Sequence, residues 1–171
     1  MTTRNFVIKW LAYALALLPV WLADAFLMGS YPIFGVKASL LPLAAMAVAT
    51  LEGGTAGAGF GLGVGLLFDA STSGILPGTF ILLMALLGWG AGLLAQYALR
   101  QDLIGCLICS ALSLMAIDAV RIAYRLLTAT ATLIPMLRLA GKEILLSLCF
   151  VPLVYLLFRR IFQRVPKPTV L

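Results

Sequence analysis

From Glu52 to Gly78 the chain reads EGGTAGAGFGLGVGLLFDASTSGILPG. At helical spacing Gly53, Gly57, Gly61 and Gly65 recur every fourth residue, and Asp69 is the next step along the same stripe. Gly59 and Gly63 widen it to one side. Residues four apart share a helix face, so one flank of this helix is almost bare and ends in a carboxylate. In water each such glycine costs about 1 kcal/mol against alanine. Inside a bilayer the backbone must satisfy its own hydrogen bonds, and an open chain does so only as a helix. A bare flank also lets a neighbouring helix approach closely, as in repeated GxxxG contacts. Gly88 and Gly92, with Gly90, Ala91 and Ala95, form a second small-residue stripe further along, the natural partner of the first.

Composition fixes the medium. Hydrophobic residues make up 63% of the 171 and charged residues only 11%, and the mean hydropathy is +1.12. A soluble domain of this size cannot hide that much apolar surface, so the reading is an all-α integral membrane protein with one compact domain. The net charge of +6 then marks membrane sidedness and headgroup contact rather than nucleic-acid binding. Cys106 and Cys109 form a CxxC, but they lie in the apolar run GCLICSALSLMA of a chain without histidine. They are read as small apolar filler, and no metal site or cofactor is expected. Arg4 and Lys9 before an apolar run resemble the start of a signal peptide; without a cleavage site followed by a soluble domain, the segment is read as a retained first helix.

Six transmembrane helices are expected, at about 7–28, 36–51, 54–68, 77–99, 103–124 and 142–158, in a single domain over 1–171. Trp10 and Trp21 sit toward the two ends of the first, as interfacial aromatics do. Residues 126–141 read as a less hydrophobic connection and 159–171 as a basic tail. With the N-terminus inside, seven basic residues fall on the cytoplasmic side against five outside, so both termini are expected in the cytoplasm.

That topology sends Asp24, Asp69, Asp118 and Glu143 toward the outer side with Arg121 and Arg125, leaving Glu52 and Asp102 inside. Asp118 and Arg125 are seven apart and share a face, with Arg121 about 60° away. Two readings stay open. The charges form an ion-pair network that orients the bundle, or Asp24, Asp69, Asp118, Arg121 and Arg125 line an outer polar groove for a partner segment or small ligand. No nucleophile–base pair or phosphate loop stands out, so no catalytic residue is assigned and an enzyme is not expected.

The run GLGVGLLFDASTSGILPGTFILL resembles the signature region of the rod shape-determining protein MreD family. In it Gly65, Leu66 and Asp69 match the glycine-spaced helix with its terminal aspartate, and Gly78 matches the later glycine. The tail LCFVPLVYLLFRRIFQR, with Pro152 in the proline position, is similar too; residues 126–141 match nothing. The resemblance implies a non-enzymatic scaffold subunit of the bacterial cell-wall elongation complex in the cytoplasmic membrane. It would associate there with the single-pass protein MreC and act alongside MreB, RodA and a class B penicillin-binding protein to maintain rod shape. It also implies a fold like the S-components of energy-coupling-factor vitamin transporters. The rival reading is therefore an S-component, for which Ala12 and Ala16 offer an AxxxA docking motif. Against it, the outer loops are poor in the aromatic and amide side chains a vitamin pocket needs. A third reading is an unrelated membrane protein that homodimerises through the glycine flank.

Overall fold

The computed structural model describes residues 3–27, 38–71, 78–97, 102–128 and 133–164. They form six helices: α1 (Thr3–Leu22, continued by a π-helical turn Ala23–Leu27), α2 (Leu40–Glu52), α3 (Gly54–Ser71), α4 (Thr79–Tyr97), α5 (Leu103–Leu127) and α6 (Leu133–Arg164). The turn that Gly29-Ser30-Tyr31-Pro32 predicts, residues 129–132 of the expected 126–141 connection and the tail beyond Arg164 lie outside the described residues, as do residues 72–74 of the polar loop expected over Asp69–Gly74; Asp69–Ser71 of that loop instead form the last turn of α3.

The architecture is a ring around one short helix. In α2, LLPLAAMAVATLE, every residue from Leu40 to Leu51 is buried, which fits a helix that is apolar on all sides. Its alanines at 44, 45, 47 and 49 let neighbours approach from several directions, and α1, α3, α4, α5 and α6 all pack against it. Pro42 sits in its first turn, where proline is tolerated. Around it α3 packs most extensively on α4, α4 touches α5, α5 packs on α6, and α6 meets α1. Tyr13 and Trp10 of α1 close the ring on α3 through Phe60, at ring distances of 6.2 and 6.4 Å.

Four helices are long and apolar enough to cross a membrane: Val7–Phe26 in α1, Thr79–Tyr97, Leu103–Leu127 and Ile134–Gln163. The chain is thus a multi-pass α-helical membrane protein, with four candidate spans where six were expected. The two others differ for physical reasons. At 13 residues, α2 extends only about 20 Å and is buried inside the bundle; the 18 residues of α3 are diluted by glycine.

Successive helices alternate in direction. Lys9 and Tyr13, near the start of α1, meet Glu52 at the end of α2 and Phe158 near the end of α6. At the opposite end Asp24 meets Leu40, and Arg121 meets Glu143. The last helix departs most from expectation. It begins at Leu133 instead of about 142 and runs unbroken to Arg164, taking in residues 133–141 of the predicted connection and the start of the tail. Pro135 falls in its first turn, where its missing N–H would be unpaired in any case. Trp21 also departs from an interfacial role: its Nε1 is buried.

Candidate functional site

The glycine stripe lies in the seam between α3 and α4. A Cβ at Gly57 would sit 2.5 Å from the Gly88 carbonyl oxygen, and one at Gly65 would sit 2.8 Å from Ile81 Cα. At Gly61 it would strike the Met84 carbonyl, at Gly88 the Gly57 carbonyl, and at Gly92 the backbone of Gly53 and Gly54. These obstacles are main chain, so the two backbones meet with nothing between them. Such contact gives dispersion and weak Cα–H···O contacts that side chains would prevent. The flank that a partner helix or a second copy would need is filled by α4 of the same chain. Gly53 has a second task. It adopts φ +96°, a conformation that L side chains rarely adopt, and this lets α2 reverse into α3 across a single residue.

The polar residues at the far end of α1, α3 and α5 engage one another and the helix ends. Arg121 Nη1 lies 3.5 Å from Asp118 Oδ1 and 3.2 Å from Glu143 Oε1. Its guanidinium also stands 5.3 Å from the ring centroid of Phe68 and 5.8 Å from that of Phe80, a cation–π arrangement. The Ser39 hydroxyl donates to Glu143 Oε1 at 2.7 Å, and the Ser39 backbone N–H donates to Ser147 Oγ at 3.1 Å. One residue on, the Leu40 N–H donates to Asp24 Oδ1 at 2.8 Å. Asp24 thereby satisfies a donor left open at the start of α2, and a carboxylate there also suits the helix dipole. Asp69 does the same for α4, its Oδ2 accepting from the Gly78 N–H at 2.8 Å. Arg125 lies one turn beyond Arg121 and is exposed.

Of the five residues expected to line an outer groove, Asp118 and Arg121 thus share one network, while Asp24 and Asp69 each hold the start of a helix. The network joins four helices and the residue before α2: Phe68 from α3, Phe80 from α4, Asp118 and Arg121 from α5, Glu143 from α6. Glu143, expected on this side but not among the five groove residues, joins the network, and Ser39 and Ser147 are members that sequence reasoning did not place there. The i,i+4 spacing of Glu143 and Ser147, polar residues on one face of an otherwise apolar helix, was the available signal.

A second polar knot, absent from the sequence reading, closes the opposite end. Lys9 Nζ is ion-paired to Glu52 Oε2, and the Tyr13 hydroxyl donates to Glu52 Oε1 at 2.6 Å. Lys9 and Tyr13 are again four apart, and they pin α1 to the end of the central helix. Cys109 Sγ donates to the Ala91 carbonyl at 3.8 Å, a packing contact between α5 and α4.

Openings also lie on the surface of the described residues. One is an apolar groove of about 420 Å³ between α1 and α6, lined by Val20, Ala23, Leu153, Val154 and Leu157, with Arg160 on its wall. Another, about 310 Å³, lies on the first turns of α6 between Ile134, Pro135, Arg138, Leu139 and Lys142.

No protein-family model, curated protein or solved structure matches the chain. Gly65 seals α3 against α4, Leu66 is exposed on the outer face of α3, and Asp69 ties the end of α3 to Gly78.

Proposed function

We propose that this chain is a non-enzymatic scaffold subunit of a bacterial cell-wall elongation complex, of the MreD type. It sits in the cytoplasmic membrane with both termini inside, binds MreC and helps couple it to the cell-wall synthases RodA and a class B penicillin-binding protein, alongside MreB, so maintaining rod shape. The resemblance of the Gly65–Gly78 region and of the Pro152 tail supplies the family.

One observation carries the partner-binding reading: the α5–α6 projection. The Ser39–Arg121–Glu143 network marks the level at which α2 begins. Beyond it α6 continues through ten further residues, Leu133 to Lys142, or about 15 Å at 1.5 Å per residue. The whole helix has 32 residues and so extends about 48 Å, well past a hydrocarbon core of about 30 Å. The projecting turns carry exposed Ile134, Leu137 and Leu139 beside exposed Arg138 and Lys142. Apolar anchors among cations, next to a small cavity, suit a folded protein partner. With the N-terminus inside, this projection stands on the extracytoplasmic side, where the resemblance puts the folded part of MreC.

The S-component reading has less support. Ala16, half of the AxxxA pair, is buried in the core and is turned away from any docking subunit.

The double variant Ile134→Glu/Leu139→Glu tests the proposal. Both side chains are exposed, so membrane abundance is expected to stay at the wild-type level while MreC recovered with the tagged protein falls at least fivefold. Undiminished recovery of MreC would remove the projection as the docking surface.

A further inference from the structure

We infer that the groove between α1 and α6 is a binding site for an anionic phospholipid, with one acyl chain along the groove and the headgroup phosphate at Arg160. The groove walls are apolar apart from that arginine: Val20 and Ala23 on one side, Leu153, Val154 and Leu157 on the other. A peptide backbone or polar ligand would lose its hydrogen bonds there. A hydrocarbon chain loses none.

Direction along the groove follows from the contacts. The helices run antiparallel, with Tyr13 beside Phe158, so Arg160 lies toward the end that holds Lys9 and Glu52. Ala23 and Leu40 lie toward the other. Apolar lining therefore leads away from the cation into the bundle's middle, as a lipid tail leads away from its headgroup. Charge complementarity names the headgroup. Arg160 has no ion-pair partner among the described residues, and Glu52 at this end is engaged by Lys9 and Tyr13. Arg159 adds a second positive charge close by, with its guanidinium over the Tyr155 ring at 5.9 Å. An arginine at the headgroup level presents a donor fork suited to phosphate.

The site is separate from the docking surface proposed above, because it lies on α1 and the later part of α6 and uses no residue of the α5–α6 projection. It is tested in nanodiscs of equal phosphatidylglycerol and phosphatidylcholine, with lipids retained after mild detergent release counted by native mass spectrometry. Wild type is expected to retain phosphatidylglycerol about fivefold over phosphatidylcholine, the preference of one basic residue near an anionic surface. Arg160→Gln, at an exposed position, should bring the ratio near parity, whereas Arg160→Lys should keep most of it. Ala23→Phe should lower retention of both lipids by filling the groove. An unchanged ratio in Arg160→Gln, equal retention of the two lipids by wild type, or full retention by Ala23→Phe would each overturn the inference. So would a photocrosslinker at Leu157 that captures a protein helix instead of lipid.

Discussion

Replacing Gly61 with leucine is expected to leave little folded protein in the membrane. The first added carbon would collide with the Met84 carbonyl and lie 3.3 Å from Ala85 Cα. No rotamer relieves a clash that begins at Cβ with main chain, so α3 and α4 must separate along the whole seam. Overpacking typically costs about 1–3 kcal/mol, and here the contacts at Gly57, Gly65 and Gly88 are lost with it. A penalty of roughly 3 kcal/mol or more is a large fraction of a stability of about 5–15 kcal/mol. Gly63→Leu is the matched control. It lies on the same helix, is exposed, and its added Cβ would meet nothing within 4 Å. Thermal unfolding and membrane abundance should fall sharply for Gly61→Leu and hold for Gly63→Leu. Equal behaviour of the two would contradict the seam.

Arg121→Met carries the second large effect. The side chain keeps its approximate length and loses the charge that Asp118 and Glu143 share. Both carboxylates are largely buried, with 11% and 13% of their side-chain surface exposed, and Asp118 Oδ2 has no hydrogen-bond partner among the described residues. Removing one member of a buried ion pair costs about 3–5 kcal/mol because its partner is left uncompensated. Arg121 retains 21% of its side-chain exposure, so about 2–3 kcal/mol is the figure to expect. Glu143→Gln in the same chain should restore part of it, since one fewer carboxylate then lacks a counter-charge and the amide can still accept from Ser39. A melting temperature in detergent that is unchanged in Arg121→Met would mean that the network does not hold the helices together.

The local devices were legible in the sequence because they are periodic. The glycine stripe, its α4 counterpart, the opening of α3 after Gly53 and the gathering of Asp24, Asp118 and Arg121 at one end all follow from spacing and helix alternation. The central place of α2 was hidden. A helix buried on every side has no amphipathic period, so LLPLAAMAVATLE reads only as a short span. The Lys9–Glu52 pair joins residues 43 apart, a separation on which periodicity is silent. The start of α6 was missed because Pro135, Gly141 and the preceding threonines resemble loop signals. In the structure the proline falls in the first turn, and an added Cβ on Gly141 would have open space around it. Asp69 was read as a candidate groove residue, and only the fold reveals Gly78 as its partner.

The measurement that bears most directly on the scaffold reading is purification of the tagged protein at native level in gentle detergent, with co-purifying proteins identified by mass spectrometry. Recovery of MreC together with the cell-wall synthases is the expected result. Recovery of a transporter's energising subunit and ATPases, without MreC or the synthases, would contradict it.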